Sequence, residues 1–116
     1  MADNERLICA AEQLAERGTG VRFALPELGE HVTGFVVRCN GVPHAYVNRC
    51  AHVPVELDWQ EGDFFDLSGH YLICATHGAH YEPDSGKCVM GPCTGASLQP
   101  LTVVEHDGNV YLIVKD

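Results

Sequence analysis

Two short groups of metal-binding side chains stand out: Cys50-Ala51-His52 and Cys74-Ala75-Thr76-His77, with 21 residues between His52 and Cys74. Each offers one thiolate and one imidazole, donors that suit zinc or iron. A zinc finger usually presents a Cys pair followed by a His pair, because each pair closes one small ring around a single ion. Here Cys and His alternate. A structural zinc module using the same four side chains remains an alternative, but the order fits another geometry better. If two loops approach a planar two-iron unit from opposite sides, the first ligand of each reaches the inner iron and the second the outer one. For Cys9, Cys39, His31, His44, His70 and His106 we expect ordinary packing or hydrogen-bonding roles.

Loops that present ligands need strands to hold them, and the turn dipeptides mark where those strands lie. Val32 to Cys39 runs into Asn40-Gly41 and then Val42 to Asn48, and Leu101 to His106 runs into Asp107-Gly108 and then Asn109 to Val114. Both read as hairpins, since Asn-Gly and Asp-Gly supply the positive φ angles of tight turns. Tyr71 to Cys74 reads as a short strand entering a loop. Pro83-Asp84-Ser85-Gly86 reads as a turn between His80-Tyr81-Glu82 and Lys87-Cys88-Val89. Only Ala10 to Arg17 has helical composition. We therefore expect an all-β sandwich or barrel-like domain.

The length of 116 residues suits a single domain over 1–116. With 16 acids against 7 basic residues the formal charge is −9, which argues against nucleic acid or an anionic membrane as partner and reads either as a match for a basic docking protein or as acidity that keeps an abundant protein soluble. No apolar run follows a basic patch at the N-terminus, and no segment approaches the ~20 apolar residues of a membrane span. We expect a cytoplasmic protein, in which six cysteines point to a metal rather than to disulfides. One stretch differs in kind: Glu56 to His70 carries Glu56, Asp58, Glu61, Asp63 and Asp66 with no Lys or Arg, interleaved with Trp59, Phe64 and Phe65. It reads either as a solvated loop pinned by its aromatics or as a docking surface beside the ligands.

The ordered pair of motifs resembles the Rieske proteins, whose C-x-H and later C-x-x-H supply two Cys to one iron and two His to the other. Cys74-Ala75-Thr76-His77-Gly78 looks like the second cluster loop of that family. Gly91-Pro92 falls where the family has a proline loop shielding the cluster, and Asn48 to His52 and Tyr81 to Gly86 also resemble it. The resemblance implies an antiparallel β-sandwich with a cluster-binding subdomain at about 48–96. It also implies a [2Fe–2S] cluster held by Cys50, His52, Cys74 and His77. Cys88 and Cys93 are then packing residues, with a disulfide as a minor alternative.

High-potential members add a cysteine to each loop, forming a disulfide, and use a serine and a tyrosine that donate to sulfur. At the matching positions this chain has Val55, Thr76 and Ala79, and keeps only the tyrosine, Tyr81. The resemblance thus implies a low-potential cluster, roughly −150 mV or somewhat above, tuned at Tyr81, Ala79 and Pro92. It implies a one-electron carrier between a flavin reductase and an oxygenase, with no substrate-converting site of its own. The alternative is a small Rieske subunit of a nitrite-reductase-like or other multicomponent oxidoreductase. The Val53-Pro54-Val55 run and the long spacing between ligand pairs depart from compact family members.

Overall fold

A computed structural model describes residues 4–26, 28–30, 32–49, 57, 62–66, 68–74, 78–91 and 96–114. Among these residues the strands are β1 (Asn4–Ala10), β2 (Val21–Ala24), β3 (Thr33–Cys39), β4 (Val42–Val47), β5 (Leu72–Ile73), β6 (His80–Tyr81), β7 (Cys88–Met90), β8 (Pro100–Leu101), β9 (Val103–His106) and β10 (Asn109–Val114). They form three sheets, ordered β1-β10-β9, β2-β3-β4-β8 and β5-β6-β7, with antiparallel pairing throughout. The all-β architecture expected from the turn pattern is the one observed.

The central sheet is buried on both faces, and β3 shows why. Phe35, Val36 and Val37 are all fully buried, although successive side chains of a strand point to opposite faces. Phe35 and Val37, with Tyr46 of β4, pack into a core shared with Leu57, Phe64, Leu72, Cys74, Ala79, Tyr81, Cys88 and Leu98. Val36 and Ala45 face the other way and pack with Cys9, Leu14 and Val110. β3 and β4 therefore form the middle layer between the sheet of the termini and the small sheet that carries Cys74. Each large apolar side chain buried here contributes roughly 1.5–3 kcal/mol. Phe35 and Phe64 stack at 4.0 Å between centroids, which ties Phe64 of the acidic stretch to the central sheet.

The hairpin turns fall where expected. Asn40 and Gly41 have φ of 55° and 77°, and Asp107 and Gly108 have 53° and 76°. The first turn is also clamped, because the Glu16 carboxylate accepts from the backbone N–H groups of both Asn40 and Gly41. Those bonds hold the Glu16 carboxyl below its ordinary range.

The segment Ala10 to Arg17 does not form the expected helix. Its only helical turn is a 3-10 turn over Ala11–Gln13. The reason lies on β3: the Arg38 guanidinium takes the carbonyls of Leu14 at 2.8 Å and Ala11 at 3.2 Å, acceptors that a continuing helix would use. Arg38 also grips both carboxylate oxygens of Glu105 on β9 at 2.9 Å, tying the outer sheet to the central one.

Candidate metal centre

Of the four candidate ligands, Cys74 lies among the described residues, while Cys50, His52 and His77 lie outside them, as do Pro92, Cys93, Val55, Thr76, Trp59 and His31. The described residues on either side of these gaps define where each loop starts and ends.

Cys74 follows β5 and is fully buried. Its N–H donates to the Ala79 carbonyl at 2.9 Å, and its carbonyl accepts from the Gly78 N–H at 2.8 Å. These two bonds close a narrow neck between Cys74 and Gly78–Ala79, the described residues on either side of 75–77. β5 and β6 meet below it in the register Leu72↔Tyr81 and Ile73↔His80. The neighbouring strand brings Gly91 against the same neck. A Cβ on Gly91 would stand 2.8 Å from the Ala79 Cα and 3.4 Å from the Gly78 oxygen, and the φ of +103° is itself one that glycine favours. The Cys88 N–H bonds to the Ala96 carbonyl at 2.9 Å, closing the loop that contains Gly91.

The described residues on either side of the first candidate ligand group are Asn48 and Arg49 after β4, and Leu57. Asn48, buried at the strand end, accepts from the Leu57 N–H through its Oδ1 at 2.9 Å, and its own N–H bonds to the Thr33 carbonyl at 2.8 Å. Leu57 then enters the core that also contains Cys74 and Tyr81. The described anchors of both candidate ligand groups thus meet one apolar cluster, although 26 positions separate Asn48 from Cys74 in the chain. Tyr81 and Ala79, the sequence-based tuning positions, are fully buried in that cluster. Among the described residues no buried side-chain nitrogen or oxygen lacks a hydrogen-bond partner.

Part of the acidic stretch is built into this sheet rather than left in solvent. Phe65 bridges to Leu72, and the Ile73 N–H bonds to the Phe64 carbonyl at 2.8 Å. Burial raises the Asp66 carboxyl, but the Ser68 hydroxyl, the Tyr71 and Gly69 amides and His80 outweigh it and leave the group below its ordinary range. Asp66 and His80 are site features that sequence reading missed, since neither belongs to a motif.

Cys9, Cys39 and Cys88 are buried, as expected of packing residues, and no disulfide joins the described cysteines. His44 is half-buried and His70 exposed. His106 lies between the Glu5 and Asp107 carboxylates, at 3.0 Å from each.

The family model for the Rieske [2Fe-2S] domain matches residues 4–112. The chain belongs to the Rieske [2Fe–2S] domain family. Its donor set fits the group that the family binds, because thiolate and imidazole are the ligands of a Rieske centre and Cys74 sits at the neck of a closed loop. A search of curated proteins returns no match.

Among solved structures, the ferredoxin of carbazole 1,9a-dioxygenase from Nocardioides aromaticivorans IC177 shares this fold. Its TM-score is 0.75 at 20% identity, over 97% of this chain and 99% of that one. A chain in the complex of reduced oxygenase and oxidized ferredoxin in carbazole 1,9a-dioxygenase matches with a TM-score of 0.74 at 25% identity, over 97% and 95%. The terminal oxygenase of carbazole 1,9a-dioxygenase from Novosphingobium sp. KA1 matches with a TM-score of 0.72 at 31% identity. There the chain spans 97% of itself but 29% of the oxygenase. No helix among the described residues is long and apolar enough to cross a membrane.

Proposed function

We propose that this Rieske protein is a soluble, cytoplasmic one-electron carrier whose cluster is held by Cys50 and Cys74 on one iron and His52 and His77 on the other. The observation that carries the reading is the convergence of the loop anchors, Asn48–Leu57 and Cys74–Gly78, on one buried core, with Gly91 pressed against the second. We read residues 48–96 as the cluster-binding part of a single domain over 1–116. When bound, the cluster supplies reversible uptake of one electron. The chain's own residues fix the loop ends and bury Cys74 away from water.

Two neutral imidazoles in place of thiolates leave less negative charge on the centre, which raises its potential above that of all-cysteine clusters. With Val55 and Thr76 where a loop disulfide would stand, and Ala79 where a serine donor would stand, we place it at the low end of the Rieske range. The match to nearly the full length of a chain in an oxygenase–ferredoxin complex supports an oxygenase as acceptor, and the family resemblance supplies a flavin reductase as donor. The net charge of −9 suits a basic docking face on either partner.

The 31% identity to part of a terminal oxygenase favours a second reading, in which the same domain serves inside a larger oxidoreductase. Gel filtration with a reductase or oxygenase encoded beside it separates a dissociable carrier from a permanent subunit. For the main reading, aerobically purified protein should be coloured and contain two irons per chain, as the Rieske centre requires. After dithionite reduction it should give a low-average-g electron paramagnetic resonance signal, and Cys74→Ser should abolish it. A colourless protein with one zinc and no iron overturns the proposal.

A further inference from the structure

The second ligand loop is held by two residues outside both ligand motifs. We propose that His80, steadied by Asp66, is a positioning residue for the cluster: it fixes the Gly78 carbonyl, directly after His77, and so sets how the His77 ring is presented. This inference rests on the reading of His77 as a ligand.

His80 Nδ1 stands 2.7 Å from the Gly78 carbonyl oxygen. A carbonyl can only accept, so Nδ1 carries the proton and donates it. Nε2 faces Asp66 Oδ2 at 3.6 Å. Asp66 is itself immobilised: its Oδ1 accepts from the Ser68 hydroxyl at 2.7 Å and from the Gly69 N–H at 3.0 Å, and its backbone N–H bonds to Tyr71. The Tyr71 ring lies edge-on to the imidazole, with centroids 6.0 Å apart at 79°. The ring is thereby held by a hydrogen bond at Nδ1 and along one side, with the Asp66 carboxylate at ion-pair rather than hydrogen-bond distance from Nε2.

The consequence for the loop lies in its peptide groups. Gly78 N–H is bonded to the Cys74 carbonyl, Gly78 C=O to His80, and Ala79 C=O to the Cys74 N–H. Three consecutive peptide groups after His77 are pinned, and the middle one is pinned by a side chain. Without His80 the Gly78–Ala79 peptide is held only through the bonds on either side of it, and the anchor that follows His77 loses its carbonyl partner. Outer partners that orient metal ligands typically matter by 10–100-fold in affinity or activity. Asp66 thus gives one member of the acidic stretch a part in the centre itself.

The test uses the loaded full-length protein, with chelator-driven cluster loss, the reduction potential and the electron paramagnetic resonance g values as readouts. His80→Leu should speed cluster loss by about 10-fold and move both the g values and the potential. His80→Asn places an amide NH2 where Nδ1 stood but cannot reach Asp66, and should restore most of the retention and the wild-type g values. Asp66→Asn should speed cluster loss in the wild-type background and have no effect in the His80→Asn background. If His80→Leu cannot be obtained folded, that comparison of two backgrounds decides alone.

The proposal falls if the wild type shows a Rieske signal and His80→Leu leaves every readout unchanged. It also falls if His80→Asn behaves like His80→Leu, or if Asp66→Asn acts equally in both backgrounds. A wild type without a Rieske signal removes the ligand reading instead, and this inference with it.

Discussion

Replacing Asn48 should loosen the first ligand loop at its base. Its Oδ1 is the partner of the Leu57 N–H at 2.9 Å, and both residues are buried, Leu57 completely and Asn48 with 4% of its surface exposed. Asn48→Ala leaves that buried N–H without its side-chain acceptor. A buried donor stripped of its partner costs about 1–3 kcal/mol. For a domain of this size the loss corresponds to a fall of roughly 5–15 °C in melting temperature. Thermal unfolding of the loaded protein, followed by far-ultraviolet circular dichroism and by the visible absorbance of the cluster, measures it. The visible signal should go first, since the loop that opens carries two of the proposed ligands. Asn48→Leu separates the bond from the volume: it fills the space without an acceptor and should lose as much as Asn48→Ala. A melting temperature equal to that of the wild type in Asn48→Leu would refute the reasoning, because packing rather than the hydrogen bond would then close the loop.

Gly91→Ala should destabilise by about 2 kcal/mol or more, combining the positive-φ strain with a Cβ 2.8 Å from the Ala79 backbone. Gly41→Ala, at φ +77° with nothing within 4 Å, should show the strain alone, so urea denaturation of the two isolates the clash. Hydrogen bonds that His106 donates to the Asp107 and Glu5 carboxylates raise its pKa above its ordinary value. The native state then binds the proton more tightly than the unfolded one. That stabilisation is complete below the unfolded pKa and is lost as pH rises through the folded one; an NMR titration midpoint at or below the ordinary histidine value would contradict it. Tyr81→Phe should keep the cluster and lower its potential, and an unchanged potential in a redox titration would show that the Tyr81 hydroxyl does not donate to sulfur. Ala79→Ser should raise the potential, because a hydroxyl added at this buried position gains the sulfur as acceptor; a less stable protein with an unchanged potential would show that it does not.

What could be read in the residues was the chemistry carried by local patterns. Asn40-Gly41 and Asp107-Gly108 fix their turns through backbone preferences alone, so both hairpins were legible to within a residue or two. Strand β1 was not. A register shift between Leu7 and Cys9 breaks its alternation, leaving Leu7 59% exposed while Cys9 is buried. The helix expected over Ala10 to Arg17 is lost to a guanidinium from β3, a competitor more than 20 residues away in the chain. The same limit applies at the site. Cys74, Ala79 and Tyr81 were named because they belong to a motif, whereas the Asn48 clamp and the Asp66–His80 pair exist only once the strands have found their register.

The pairing of β1 with β10 has a consequence for the order of events in time. Asn4 lies opposite Val114, so the outer sheet joins the most distant parts of the described chain. Closing so long a loop carries a high entropic cost, and contacts of this separation form late. The other two sheets, from Val21 to Leu101, need no residue of that closing pair, and all four proposed ligands fall within this span. A ribosome-bound chain can therefore have every proposed ligand outside the exit tunnel before its first strand has a partner, and the outer sheet, which packs on the face of β3 and β4 away from Cys74, closes over a core whose other side is already in place.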